Sequence, residues 1–223
     1  MKFKKRILVG LTLLGLSSFA NSETEDAAQV SSIDAFSMSS AIRSVVASPD
    51  GKKLAILRAT TKNGDYIIEI RDPNNLDAEP VRLGADKMLI SSIVWLNDEK
   101  LGVMFRQILE DGSRKYWVNK FAITDADGKG DWLLPFKKKR NVQFNIINIL
   151  PDKKDEVLVE VDINNNYIPD VVRFNINTGR SVTVMRGNEK VSGSFVSDYD
   201  GEIRIAQGWN KSDNAIDYYA RDK

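Results

Sequence analysis

Apolar residues along this chain come in short runs divided by clusters of Asp, Asn, Gly and Pro, and beyond the first twenty positions no helical spacing persists for any length. The stretch from Ser48 to Arg58 sets the type. Pro49-Asp50-Gly51 supplies turn chemistry: proline presets φ, aspartate bonds backbone two residues on, and glycine accepts positive φ. Leu54-Ala55-Ile56-Leu57 follows at once, too short for a helix and readable as a buried strand. The same order returns at Leu96-Asn97-Asp98-Glu99 before Leu101–Phe105, at Pro151-Asp152 before Val157–Val161, and at Asp198-Tyr199-Asp200-Gly201 before Ile203–Ala206. Asp50 and Asp98 are 48 positions apart, Asp98 and Asp152 54, and Asp152 and Asp200 48, so the chain repeats a module of about fifty residues.

Each module divides into strands. The first is expected at Ile42–Ala47, Lys53–Ala59, Tyr66–Arg71 and Pro80–Leu83; the second at Ser91–Trp95, Lys100–Arg106, Lys115–Thr124 and Asp131–Leu134. The third is expected at Gln143–Ile149, Glu156–Asp162, Asp170–Asn175 and Arg180–Met185, and the fourth at Gly193–Val196, Glu202–Gly208 and Ala215–Ala220, with no outer strand. Short strands grouped in fours at this period predict an all-β chain forming a partial β-propeller of about three and a half four-stranded antiparallel blades, at 41–84, 90–135, 142–187 and 192–223, the last incomplete. A ring of so few blades is expected to be part of something longer or to meet a partner, and its last sheet to leave apolar surface open.

Composition adds bounds. The chain has 223 residues, 42% hydrophobic and 28% charged, enough for a packed core. Its formal charge is +1, but Lys2, Lys4, Lys5 and Arg6 lie in the first six residues, so the remainder is net acidic and a nucleic-acid partner is not expected. That basic start, the apolar run Ile7–Leu16 and small Ser18 and Ala20 before a cleavage point make residues 1–20 a signal peptide in this reading, with export to the periplasm and no stable membrane insertion afterwards. Polar residues 21–40 read as a linker and entry segment. Cysteine is absent, so an exported chain of this kind relies on its core and not on disulfides.

Candidate chemistry is sparse. With no histidine, the imidazole of a Ser-His-Asp relay cannot be supplied by this chain, and no Gly-x-Ser-x-Gly elbow occurs; Ser192-Gly193-Ser194 lacks the spacing. Cys/His zinc sites are excluded, and neither a catalytic residue nor a cofactor is expected. Asp162, Asn164, Asn166 and Asp170 have the 1, 3, 5, 9 spacing of a calcium loop, but Tyr167 stands where the turn needs glycine and Arg173 where it needs a bidentate Glu, so a polar hairpin loop is preferred. Asp125, Asp127 and Asp131, with Gly128 and Gly130, read as a turn. Lys137-Lys138-Lys139-Arg140 reads as a solvated loop or an anion contact, and Trp95, Trp117, Trp132 and Trp209 as sheet-packing residues.

Five strings, taken in order, carry a resemblance: Ser48–Ala55, Val94–Leu101, Ile149–Asp152 with Glu156–Val159, Val172–Gly179, and Asp198–Arg204. Together, over about Ser37 to Arg221, the chain is similar to the N-terminal propeller of bacterial exported members of the prolyl oligopeptidase family. The resemblance implies a propeller followed by an α/β-hydrolase domain, where the propeller covers the active site and restricts entry to small or unfolded peptides. The hydrolase domain is not in this sequence, so peptides and such a domain are the partners the resemblance implies. A stand-alone periplasmic propeller that binds or scaffolds other molecules remains the alternative.

Overall fold

The computed structural model describes residues 38–85 and 88–221, and none of these is helical. The signal peptide expected at 1–20, and all but the last three residues of the segment expected at 21–40, lie outside the described residues. Four antiparallel sheets follow one another, each a meander in which chain neighbours are also spatial neighbours. Sheet 1 holds β1 (Ile42–Ala47), β2 (Leu54–Ala59), β3 (Tyr66–Arg71) and β4 (Val81–Leu83). Sheet 2 holds β5 (Leu89–Trp95), β6 (Lys100–Asp111) and β7 (Arg114–Asp125). Sheet 3 holds β8 (Phe144–Asn148), β9 (Glu156–Val161), β10 (Asp170–Asn175) and β11 (Ser181–Met185), and sheet 4 holds β12 (Gly193–Ser197), β13 (Ile203–Asn210) and β14 (Ala215–Ala220).

Two elements differ from the sequence reading. Of the strand expected at Asp131–Leu134 only Leu133 pairs, in a single bridge with Ile123 at 2.8 and 2.9 Å, so sheet 2 has three strands. In the other direction, β6 and β7 run twelve residues each, well past the expected Arg106 and joined by a tight turn with Gly112 at φ +60°. The hairpin therefore continues far beyond the six-residue β2 and β9 of sheets 1 and 3.

The recurring turns close as their chemistry demands. Ser48 N–H donates to Lys53 O at 2.8 Å, Leu96 N–H to Lys100 O at 2.9 Å and Asp198 N–H to Glu202 O at 2.9 Å. They also join each sheet to the next. Asp50 N–H donates to Asp98 Oδ1 at 2.9 Å and Lys53 Nζ to Asp98 O at 2.8 Å; Asn97 Nδ2 donates to Lys154 O at 3.0 Å; Asn148 Nδ2 donates to Ser197 Oγ and Asp198 O at 3.0 and 2.8 Å. The Ser48 hydroxyl, then the Lys52 N–H, hold the Asp50 carboxyl down to about 2. Arg204 beside it likewise depresses Asp198.

Sheets 1 to 3 each have one extra residue in their first strand. Register steps from Ile42↔Arg58 to Ser44↔Leu57, from Ile90↔Phe105 to Ser92↔Met104, and from Ile146↔Val159 to Asn148↔Leu158, leaving Arg43, Ser91 and Ile147 unmatched. In β12 the step from Gly193↔Gln207 to Val196↔Ile205 spans three residues against two, but the next, to Ser197↔Ile203, spans one against two, so the two irregularities offset each other. Such bulges sharpen the local twist.

Side-chain alternation distributes the apolar residues over three cores in series. Leu101, Val103 and Phe105 of β6 join Ala55, Leu57, Ile68 and Ile70 between sheets 1 and 2. Phe121 and Ile123 of β7 meet Val157, Val159, Val172 and Phe174 between sheets 2 and 3. Leu158 and Val171 point the other way, onto Phe195, Ile203 and Ala206 of sheet 4. Strands β9 and β10 are thus buried on both faces, which is why Val157-Leu158-Val159 and Val171-Val172 are apolar at successive positions. Each such Val, Leu or Phe contributes about 1.5–3 kcal/mol on burial.

The two flanking sheets each keep one face outside these cores. On sheet 1 the cross-strand row Val45, Ile56, Glu69, Arg82 lies opposite the core residues. Glu69 is only 4% exposed because Arg71 (3.0 Å), Arg82 (3.4 Å) and Arg58 (3.5 Å) close over it. On sheet 4 the outward row holds Ile205, Gln207 and Trp209 of β13 paired with Ala220, Tyr218 and Ile216 of β14.

Candidate functional site

Past Arg106 no other strand among the described residues covers the β6–β7 hairpin, and a second stretch of chain comes to lie along its edge. Val142, 1% exposed and fixed in the core between sheets 2 and 3, donates its N–H to Asn119 O at 2.9 Å. Asn119 N–H in turn donates to Asn141 Oδ1 at 2.7 Å. That anchoring carries the basic run against the hairpin. The Arg140 guanidinium lies 4.9 Å from the centre of the Tyr116 ring and reaches Asp111 at 3.3 Å.

Lys139 bridges to a third segment, the loop between β9 and β10. Its Nζ donates to Ile163 O at 2.6 Å and Asn165 Oδ1 at 2.9 Å. This loop contains the residues with calcium-loop spacing, and their polar groups meet protein partners. Asp162 accepts from Asn166 N–H at 3.2 Å and Tyr167 N–H at 3.0 Å. Asn166 Oδ1 accepts from Ile168 N–H at 3.1 Å. Asn164 Nδ2 donates to Asp170 Oδ2 at 2.9 Å, while Asp170, buried at the start of β10, accepts from Gly187 N–H at 3.0 Å. Among the described residues no group of three or more acidic side chains is placed as metal ligands.

The turn bonds from Asp162 and Asn166 hold Asn165 and Tyr167 at φ +58° and +64°. Such a backbone is uncommon for any residue but glycine and unfavourable for a bulky one. It leaves the Tyr167 ring 91% exposed.

Hairpin, basic run and loop together enclose a cleft of about 410 Å³. Tyr116, Trp117 and Tyr167 supply its rings, Asn141, Gln143 and Asn165 its amides, and Arg140 and Asp162 its charges. Trp117 is 47% exposed, has Arg106 stacked at 4.7 Å, and also borders a second cleft of about 390 Å³ toward sheet 1. Tyr116 Oη is buried without a hydrogen-bond partner. The arrangement offers hydrogen-bond donors beside apolar ring faces; it contains no nucleophile with an adjacent base.

Three features that the sequence presented separately, Trp117, Lys137–Arg140 and Asp162–Asp170, thus meet here, although Lys137 and Lys138 themselves point to solvent. Asn141, Gln143 and Tyr116 were not singled out by the sequence; the one local signal for them was the Ile108-to-Trp117 continuation of the hairpin around Gly112. The remaining candidates lie elsewhere. Asp125 is held by Lys100 at 2.5 Å and Asp127 accepts from Lys129 N–H at 3.0 Å, as turn residues do. Trp95 is 5% exposed and bonds Val46 O across sheets 1 and 2 at 3.0 Å, and Trp132 stands edge-on to Phe105 at 5.4 Å. Trp209 lies on the outward face of sheet 4, 48% exposed.

No protein-family model matches this sequence, and no curated protein matches it.

Proposed function

We propose that the chain is the propeller portion of an exported prolyl oligopeptidase-type serine peptidase, a non-catalytic part that admits and selects peptides for a hydrolase domain. The observation that carries this reading is the serial packing of four consecutive meanders, each sheet sharing one core with the next. The bulge in the first strands of sheets 1 to 3 and the bonds that tie each sheet to the next near its first turn recur along the chain, as they would in blades of one ring. The outward face of sheet 4, with Ile205 at 43% and Ile216 at 50% exposure, suits a further blade of the same kind. A stand-alone periplasmic binding propeller is the second reading, favoured by a cleft built wholly from this chain's own residues.

Both readings expect the purified chain to bind unfolded peptides without cleaving them. Peptide binding measured by anisotropy, together with intact peptides by mass spectrometry, is the expected result. Covalent labelling by a fluorophosphonate, or failure to bind any peptide, refutes the proposal. Adding a separately expressed hydrolase domain of the same family separates the two readings, since only the peptidase portion should alter that domain's peptide size preference.

A further inference from the structure

We infer that the cleft between the β6–β7 hairpin and the 162–169 loop binds an extended peptide through its main-chain carbonyl groups, with a ring-bearing side chain of the ligand laid against Trp117 and Tyr167. This rests on the peptide-selecting reading above and adds to it a place and a chemistry.

The hydrogen-bonding capacity left over in the cleft decides the ligand class. Asn141 has its carbonyl oxygen engaged by Asn119 N–H, and Asn165 has its own engaged by the Lys139 ammonium. What each amide retains is its NH₂ group, and among the described residues neither NH₂ has a protein partner. The Asp162 carboxylate, the obvious acceptor, already receives two backbone N–H groups of its own loop. Arg140 contributes donors only. Gln143 adds one free carbonyl acceptor against two N–H donors, so the cleft has a surplus of donors.

A glycan hydroxyl must donate as well as accept to be satisfied on burial, and of the three side-chain amide oxygens lining the cleft only that of Gln143 is left to receive it. A peptide backbone in extended form turns the carbonyl and the N–H of every second residue to one edge, and where such a residue is proline the carbonyl stands there without a donor beside it. Trp117 and Tyr167, 47% and 91% exposed, are then rigid ring surfaces that a proline or aromatic side chain would cover.

The test uses the full chain and fluorescein-labelled, Ala-rich decapeptides carrying Pro, Phe or Tyr at the centre, each with a free or an amidated C-terminus. Asn141→Asp combined with Asn165→Asp keeps both engaged oxygens and converts the donors to acceptors. The expected result is a loss of at least tenfold in affinity with an unchanged melting temperature, and equal binding of the free and amidated peptides. Trp117→Ala, at an exposed position, is expected to weaken binding about fivefold. Binding undiminished in these variants overturns the site while leaving the peptide-selecting reading standing. Binding that vanishes on amidation overturns the carbonyl assignment in favour of a terminal carboxylate. Displacement of the peptide by a neutral oligosaccharide at lower concentration overturns the ligand class, and no peptide binding by the wild-type chain overturns both this site and the reading beneath it.

Discussion

Replacing Glu69 by Gln tests how sheet 1 tolerates charge on its outward face. The Glu69 carboxylate accepts from Arg71 at 3.0 and 3.2 Å, and lies 3.4 and 3.5 Å from Arg82 and Arg58. The Arg71 side chain is 17% exposed, so its charged hydrogen bonds are worth about 1.5–3 kcal/mol. Arg58 and Arg82 are half exposed, and each adds only about 0–1 kcal/mol. Glu69→Gln, which leaves three arginines around a neutral amide, should therefore cost about 2–4 kcal/mol, or about 5–15 °C in melting temperature for a domain of this size. Burial raises the Glu69 pKa, but the bond and charge of Arg71, with Arg82 and Arg58 behind it, outweigh burial and leave it below the ordinary glutamate value. A carboxyl depressed in the folded state stabilises fully above its unfolded value of about 4.3, and loses that contribution as pH falls through its folded value. Asp50 and Asp198 weaken both proteins in the same acid range and cancel in the comparison. Urea unfolding of wild type and Glu69→Gln should thus show a gap at pH 7 that closes as pH falls below about 4. A gap unchanged at about pH 3, or one under about 0.5 kcal/mol at neutral pH, refutes the reasoning.

Two further substitutions probe sheet 4 and its attachment. A Cβ at Gly208 would lie 1.6 Å from Lys190 O, so Gly208→Ala must push the 188–192 segment away and break the Ser192 N–H to Gln207 O bond of 3.0 Å. A loss of about 1–3 kcal/mol, with faster amide exchange confined to β12–β14, is expected. Asn148→Ala removes the bonds from sheet 3 to Ser197 and Asp198 and should cost about 1–3 kcal/mol by denaturant titration, again with exchange rising in sheet 4 and not in sheet 1.

Local chemistry made the strands legible, and long-range placement made the cleft illegible. Pro49-Asp50-Gly51 declares its turn because proline and a glycine at φ +71° permit little else, and Leu54–Leu57 declares its strand by being apolar throughout. Asp131–Leu134 offered a similar apolar pair, yet Pro135 lacks an N–H to extend the ladder and only Leu133 bridges to Ile123. The hairpin beyond Arg106 was hidden because Gln107, Glu110 and Asp111 look like loop residues, whereas the pairing of Ile108 with Trp117 carries the strands onward. Arg43, Ser91 and Ile147 share no residue type, so the first-strand bulges leave no mark in the sequence. Tyr116, Asn141 and Asn165 come together only through Val142 and Lys139, whose partners no local pattern names.

The serial cores have a mechanical corollary. Sheets 2 and 3 are clamped from two sides and sheets 1 and 4 from one, so thermal fraying should begin at the flanks and travel inward sheet by sheet. The clefts along the β6–β7 hairpin flank a sheet of that doubly held middle, where a grip on a ligand can outlast the loosening of either end.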